Sequence, residues 1–222
     1  SRRHSSAVTS LSEHRWAQTL QVAAWLAGHS VVGLRPRSLP IRGVDSKWFA
    51  AHRALVTSFV ASVTGEDGIG VVDSDPLVRV RILDPSLALG VADFAAPIAQ
   101  LELLELRPTI TLILENRETL LAMPSMPGVV AVHGGGFAVS AVADLGWVQA
   151  SSVLYWGNLD SAGFAILNRL RVHHSDVTSV LMDAETLGAH RDLWVSDPKP
   201  TRALLGNLTE AEQGVYDALR AQ

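Results

Sequence analysis

The chain contains no cysteine, so disulfides and thiolate metal sites are excluded, and a bound cation would rely on Asp and Glu oxygens or His imidazoles. That composition fits a cytoplasmic protein. Long hydrophobic runs are missing too. Nothing approaches the roughly 20 apolar residues that cross a bilayer, and the polar, basic stretch from Ser1 to Ser10 leads into no apolar signal core. A soluble protein with no membrane partner is expected. Charge is sparse: 18% of the 222 residues are charged against 48% hydrophobic, which excludes a disordered chain and allows one or two compact domains. The net charge of −4 argues against wholesale wrapping of nucleic acid, although a local basic face is compatible with it. An initiating Met is also lacking, and a piece of a longer protein, short of its N-terminal part, is the expectation.

What is present divides near residue 100. The first hundred residues read as mainly helical with one strand. Leu11, Trp16, Leu20, Ala23 and Ala24 recur at helical spacing up to Gly28, and a second helix, capped by Asp45 or Ser46, runs through Trp48, His52, Leu55, Val56 and Phe59. Val78, Val80 and Ile82 alternate with Arg79 and Arg81 as a half-buried strand does, and Asp84, Pro85 and Pro97 break the chain afterwards. From about Thr109 the pattern becomes strand then helix, four times over, with apolar runs at Ile110–Leu114, Val129–Val132, Val153–Trp156 and Val180–Met182. Short β-rich runs of this kind predict an α/β fold, a parallel Rossmann-type sheet flanked by helices. Thr209 and Glu212 open the last helix with capping-box spacing.

In such sheets functional groups collect beyond the carboxyl ends of the strands. Glu115 and Asn116 end the first strand of this part, His133 with Gly134 to Gly136 the second, Asn158 and Asp160 follow the third, and Asp183 ends the fourth. Glu115 is a carboxylate leaving a buried strand, a suitable ligand for a hard divalent cation, or else a partner of the helix that begins near Arg117. Asn158 and Asp160, two apart in an extended segment, would face one ligand together. Asp160 and Asp183 also suit helix caps. His133 to Gly136 resembles an esterase oxyanion motif, with Ser161, Asp183 and His190 in hydrolase order, but Leu159 stands where the nucleophile elbow needs glycine. Arg35, Arg37, Arg42 and Lys47, gathered about a turn and a helix start, form the better basic patch for nucleic acid.

Several phrases resemble the JetD family, the nuclease subunit of bacterial Wadjet anti-plasmid systems: Leu39 to Trp48, Leu114 to Asn116, Tyr155 to Leu167, and Leu181 to Leu187. The similarity runs from about residue 35 through nearly the whole chain. The resemblance implies a Toprim catalytic domain over 101–222, preceded over 1–100 by a smaller DNA-binding-type region like that of type IIB topoisomerase A subunits. It further implies a homodimeric, nucleoid-associated nuclease that cuts plasmid DNA with magnesium or manganese and works with an SMC-type motor complex. On this mapping the Toprim glutamate is Glu115 and the Asp-x-Asp pair is Asn158 and Asp160, while Asp183, by its place at the fourth strand end, is a further candidate metal ligand. Asn158 departs from the pattern. It carries no charge and cannot act as a base, so metal affinity should fall, and a naturally weakened site and a deliberately changed residue remain equally consistent with it. Type IIB topoisomerases break DNA through a tyrosine ahead of the Toprim domain, but the only tyrosines are Tyr155 and Tyr216. Hydrolysis is therefore expected rather than covalent strand passage. Two rivals stay open: a weakened docking module of the same fold, and a phosphohydrolase of small nucleotides, which would need an enclosed pocket.

Overall fold

The computed structural model describes residues 12–66, 68–73, 75–88, 90–136, 138–195 and 200–220. Leu11, expected to begin the first helix, lies outside them. The chain divides into two compact units between Asp75 and Pro76.

The first unit is built on two helices. Helix α1 (Glu13–Ala27) is capped by Ser12, whose side chain accepts from the Arg15 N–H, and α2 (Ser46–Thr64) by Asp45, whose carboxylate accepts from the Trp48 N–H at 2.7 Å. Gly65 ends α2 with φ +74°, the left-handed conformation that glycine adopts without steric cost. Val22 and Leu26 of α1 pack with Phe49, Val56 and Val60 of α2, and Leu39 joins them from the intervening segment. Each such buried side chain contributes about 1.5–3 kcal/mol, enough to hold a helix pair of this length together.

The second unit is a six-stranded sheet with the order β2-β1-β4-β3-β5-β6. Its elements are β1 (Leu77–Ile82), β2 (Asp93–Pro97), the short α3 (Ile98–Leu101), β3 (Ile110–Leu114), α4 (Arg117–Ala122), β4 (Val129–His133), α5 (Ala138–Ala143), α6 (Gly146–Gln149), β5 (Ser152–Trp156), α7 (Ser161–His173), β6 (Thr178–Ser179), α8 (Ala184–Ala189) and α9 (Glu210–Arg220). Strands β4, β3, β5 and β6 run parallel, while β1 pairs antiparallel with both β4 and β2. The fold is thus mixed α/β and Rossmann-like, with an antiparallel pair at one edge. Pro97 does not break the chain. It closes β2 opposite Leu77, on an edge strand where a missing N–H does no harm.

Alternation along the strands divides the core between the two faces. Ile113, Val130, Val132, Val153 and Tyr155 face a cluster shared with Val139, Val142, Phe164, Leu167, Val215 and Tyr216 from α5, α7 and α9. Leu112, Leu114 and Ala131 face the other way and pack against Leu120 of α4. Arg81, on that face of β1, donates to the carbonyls of Leu120, Leu121 and Met123, supplying the last turn of α4 with partners it would otherwise lack.

The fourth parallel strand lies two residues earlier than Val180–Met182. Val180 still donates to the Tyr155 carbonyl at 2.8 Å, but Leu181 adopts φ +57°, which cannot continue a ladder, and Met182 turns into the core.

Candidate functional site

The chain leaves β3 through α4 on one face of the sheet and reaches β4, then crosses by α5 and α6 on the other face to β5, on the far side of β3. The connections therefore reverse between β3 and β5. A reversal of this kind opens a crevice at the carboxyl ends of the two strands, where ligands of open α/β sheets bind.

Glu115 stands at this crevice, and its backbone is fixed from both sides. Its N–H donates to the Trp156 carbonyl at 3.1 Å, and its carbonyl accepts from His133 Nε2 at 2.9 Å. Because a carbonyl only accepts, Nε2 of His133 carries the proton. The carboxylate is held just as firmly. Oε2 accepts from the Asn158 backbone N–H at 3.0 Å and Oε1 from Asn158 Nδ2 at 3.2 Å, a two-pronged clamp from the loop after β5. Each hydrogen bond to a charged group is worth about 1.5–3 kcal/mol. Beneath them the buried Tyr155 hydroxyl lies 3.4 Å from Glu115 Oε2 and 3.4 Å from the Gly163 carbonyl. Burial, together with the nearby carboxylates of Glu115 and Asp160, pushes that hydroxyl well above its ordinary range, so it stays a neutral donor.

Asp160 caps α7, its Oδ1 accepting from the Gly163 N–H at 2.7 Å, and its second oxygen accepts no hydrogen bond among the described residues. Gly163 is required here. A Cβ at that position would fall 2.2 Å from the Asn158 carbonyl oxygen. Glu115 and Asn158 thus meet above the buried Tyr155, whose hydroxyl also feels the charge of Asp160. Asp183 is engaged elsewhere: it caps α8 through the Thr186 N–H at 2.7 Å, and the Thr186 N–H and hydroxyl hold its carboxyl below the usual range. The sequence marks His133 only by its strand-end position, and Tyr155 and Gly163 not at all as supports of Glu115. Their chain spacing carries no signal for contacts made between separate strand ends.

The donor set fits a hard cation in chemistry, being two carboxylates and one amide oxygen. Among the described residues no three His, Asp or Glu side chains are gathered to hold an ion by themselves. A magnesium-type ion, which commonly takes one or two carboxylates, several waters and substrate phosphates, suits such a set. The Asn158 amide at present turns its nitrogen, not its oxygen, toward Glu115.

Next to the clamp lies a recess of about 80 Å³ lined by Asn116, Thr119, Trp156, Gly157 and Asn158. It is far smaller than the roughly 300–1,000 Å³ of pockets that enclose a small molecule. Of the basic residues in the first unit, Arg35 donates to the Asp73 carbonyl and pairs with Asp75 at 3.6 Å, whereas Arg37, Arg42 and Lys47 are exposed. Ser161, the serine of the esterase-like order, is 2% exposed, and its hydroxyl accepts from the Thr201 N–H at 2.9 Å. No helix among the described residues is long and apolar enough to cross a membrane.

No curated protein is similar enough to match the chain. Residues 1–61 match a family described as an uncharacterized protein conserved in bacteria, N-terminal. Residues 70–222, which include the whole sheet and every residue of the clamp, match the family described as Wadjet protein JetD, C-terminal. The chain belongs to this JetD family, and so to the proteins of Wadjet plasmid defence.

Proposed function

We propose that the chain is the DNA-cleaving subunit of a Wadjet system, a Toprim-like endonuclease that hydrolyses phosphodiesters of double-stranded plasmid DNA with magnesium or manganese. The observation that carries this reading is the meeting of Glu115 and Asp160, from two separate strand ends, around the Tyr155 hydroxyl at the switch point of the sheet. JetD membership supports it, and implies association with the SMC-like motor complex of the system. A homodimer, one protomer for each DNA strand, and a nucleoid-associated cytoplasmic setting belong to the same proposal.

Glu115 and Asp160 would hold the ion, with the Asn158 amide beside them. When bound, the ion supplies charge stabilisation on the phosphate and activation of water. The chain's own residues do the positioning. Asn158 and Tyr155 orient the Glu115 carboxylate, His133 fixes its backbone, and the cap of α7 fixes Asp160. The small recess beside the carboxylates favours an open polymer substrate over an enclosed mononucleotide.

One observation favours a second reading, a docking module of the same fold. The Asn158 amide already satisfies a carboxylate that would otherwise call for a cation. The test is incubation of supercoiled plasmid with the chain and magnesium or manganese, with EDTA and Glu115→Gln as controls. Nicked or linear DNA that needs metal and disappears in Glu115→Gln is the expected result. Retention of uncut DNA under every condition would replace the nuclease by the docking module.

A further inference from the structure

The recess beside the Glu115 clamp offers a chemistry of its own. Asn116 spends its side-chain oxygen on α4, accepting from the N–H groups of Glu118 at 2.8 Å and Thr119 at 3.0 Å. Those N–H groups are therefore consumed, and what Asn116 has left to offer is its side-chain NH₂. Thr119 keeps its hydroxyl and Trp156 its indole N–H, neither of which has a hydrogen-bond partner among the described residues. Asn158 has committed both its backbone N–H and Nδ2 to Glu115, so its amide oxygen remains. The lining residues thus carry the Asn116 NH₂ and the Trp156 N–H as donors, the Thr119 hydroxyl as donor or acceptor, the Asn158 amide oxygen as acceptor, and no ionised group. A donor-rich, uncharged seat calls for a ligand rich in acceptor oxygens. Neutral side chains of this kind supply many of the hydrogen bonds that proteins make to nucleic-acid backbones. About 80 Å³ has room for roughly two or three water volumes, the size of a phosphate group and too little for a base with its sugar.

We propose that this recess is a second phosphate subsite, in which Asn116, Thr119 and Trp156 seat a backbone phosphate adjoining the one at Glu115 and so set the register of the strand. The proposal rests on the nucleic-acid reading of the clamp. Glu115 and Asp160 repel an incoming strand until a cation is present; the neutral recess does not, so it anchors the strand without metal.

The test is the affinity of a short DNA duplex for the whole chain, measured by fluorescence anisotropy in EDTA over a range of salt. Thr119→Val removes the hydroxyl and leaves the backbone N–H that Asn116 accepts. It should bind about two- to tenfold more weakly, the worth of one neutral hydrogen bond. Its salt slope should be unchanged, because the protein keeps all its cations. Asn116→Asp keeps the cap, Asp being as good there as Asn, but exchanges the donor for an anion. Its loss of affinity should be larger and should narrow as salt rises. Both variants should keep the wild-type urea midpoint, which separates a missing hydrogen bond to DNA from a damaged fold.

Wild-type affinity in both variants would overturn the subsite and leave the nucleic-acid reading standing. A wild-type chain that retains no DNA would remove the nucleic-acid reading, and the subsite with it. Excess inorganic phosphate that displaces DNA from the wild type but not from Thr119→Val would make the recess a seat for free phosphate and overturn its role in strand register.

Discussion

Replacing Glu212 with Gln should destabilise the second unit in a way that depends on pH. Glu212 opens α9 and is 5% exposed. Its carboxylate receives both Arg171 Nη atoms, the Ser179 hydroxyl at 2.6 Å and the Thr209 N–H at 2.8 Å, tying α9 to β6 and to the end of α7. Burial alone would raise its pKa, but the Arg171 guanidinium, the Ser179 hydroxyl and the Thr209 N–H outweigh it and bring the value from 4.5 to about 2. That difference, at about 1.4 kcal/mol per pH unit, amounts to roughly 3 kcal/mol. It agrees with the about 3–5 kcal/mol that removing one partner of a buried pair costs. The folded carboxyl titrates lower than the unfolded one. The stabilisation is therefore complete above about pH 5 and disappears as the pH falls toward 2. Urea unfolding of wild type and Glu212→Gln should differ by about 2–4 kcal/mol near neutral pH, with the gap closing in acid. A gap that is absent, or that stays constant across this range, would mean that the ionised Glu212 carboxylate does not hold α9 to β6 and α7.

Asp160 has two duties that substitution can separate. Asp160→Asn should keep the cap of α7 and near-wild-type stability but lose metal-dependent cleavage, whereas Asp160→Ala should also cost about 1 kcal/mol, read by urea unfolding. Gly163→Ala would force a Cβ to within 2.2 Å of the Asn158 carbonyl. It should lower stability by about 1–3 kcal/mol and weaken DNA binding as the Asn158 loop shifts, both visible in one purified variant. In the first unit, joint replacement of Arg37, Arg42 and Lys47 by Ala should weaken DNA binding and flatten the plot of log K against log salt by up to about 3, one for each phosphate left without its cation. An unchanged slope would take this segment out of the interface.

The central strands were legible because Ile110–Leu114, Val129–Val132 and Val153–Trp156 are apolar on both faces, and a parallel strand buried on both faces has to be. Asp93–Pro97 was not legible as β2. Its Ala95 and Ala96 have little intrinsic preference for strand, and its ladder comes wholly from pairing with β1. That pairing also brings β1 and β2 into the sheet, and the compact unit that holds it begins at Pro76. The capping box of the last helix was legible, and Thr209 and Glu212 form it reciprocally. Glu115, Asn158 and Asp160 could be marked from their places after strands, since that position is written locally. The clamp of Asn158 on Glu115 could not, because it joins groups 43 residues apart. The same holds for the second duty of Arg81, which reaches from β1 to carbonyls of α4.

The most direct test of the site is the thermal unfolding of wild type and Asn158→Asp, each in EDTA and in excess magnesium. In the wild type Asn158 brings no charge to the site, so magnesium should raise the midpoint, but by less than in Asn158→Asp. Asp at 158 exchanges a donor for a second negative charge against the Glu115 carboxylate, so the variant should melt lower in EDTA. An ion at about 100 times its Kd restores roughly 2.7 kcal/mol, a rise of about 5–10 °C for a chain of this size. If magnesium leaves the midpoint of Asn158→Asp where EDTA does, Glu115, residue 158 and Asp160 do not form a cation site, and the account of this crevice as a metal-dependent centre is wrong.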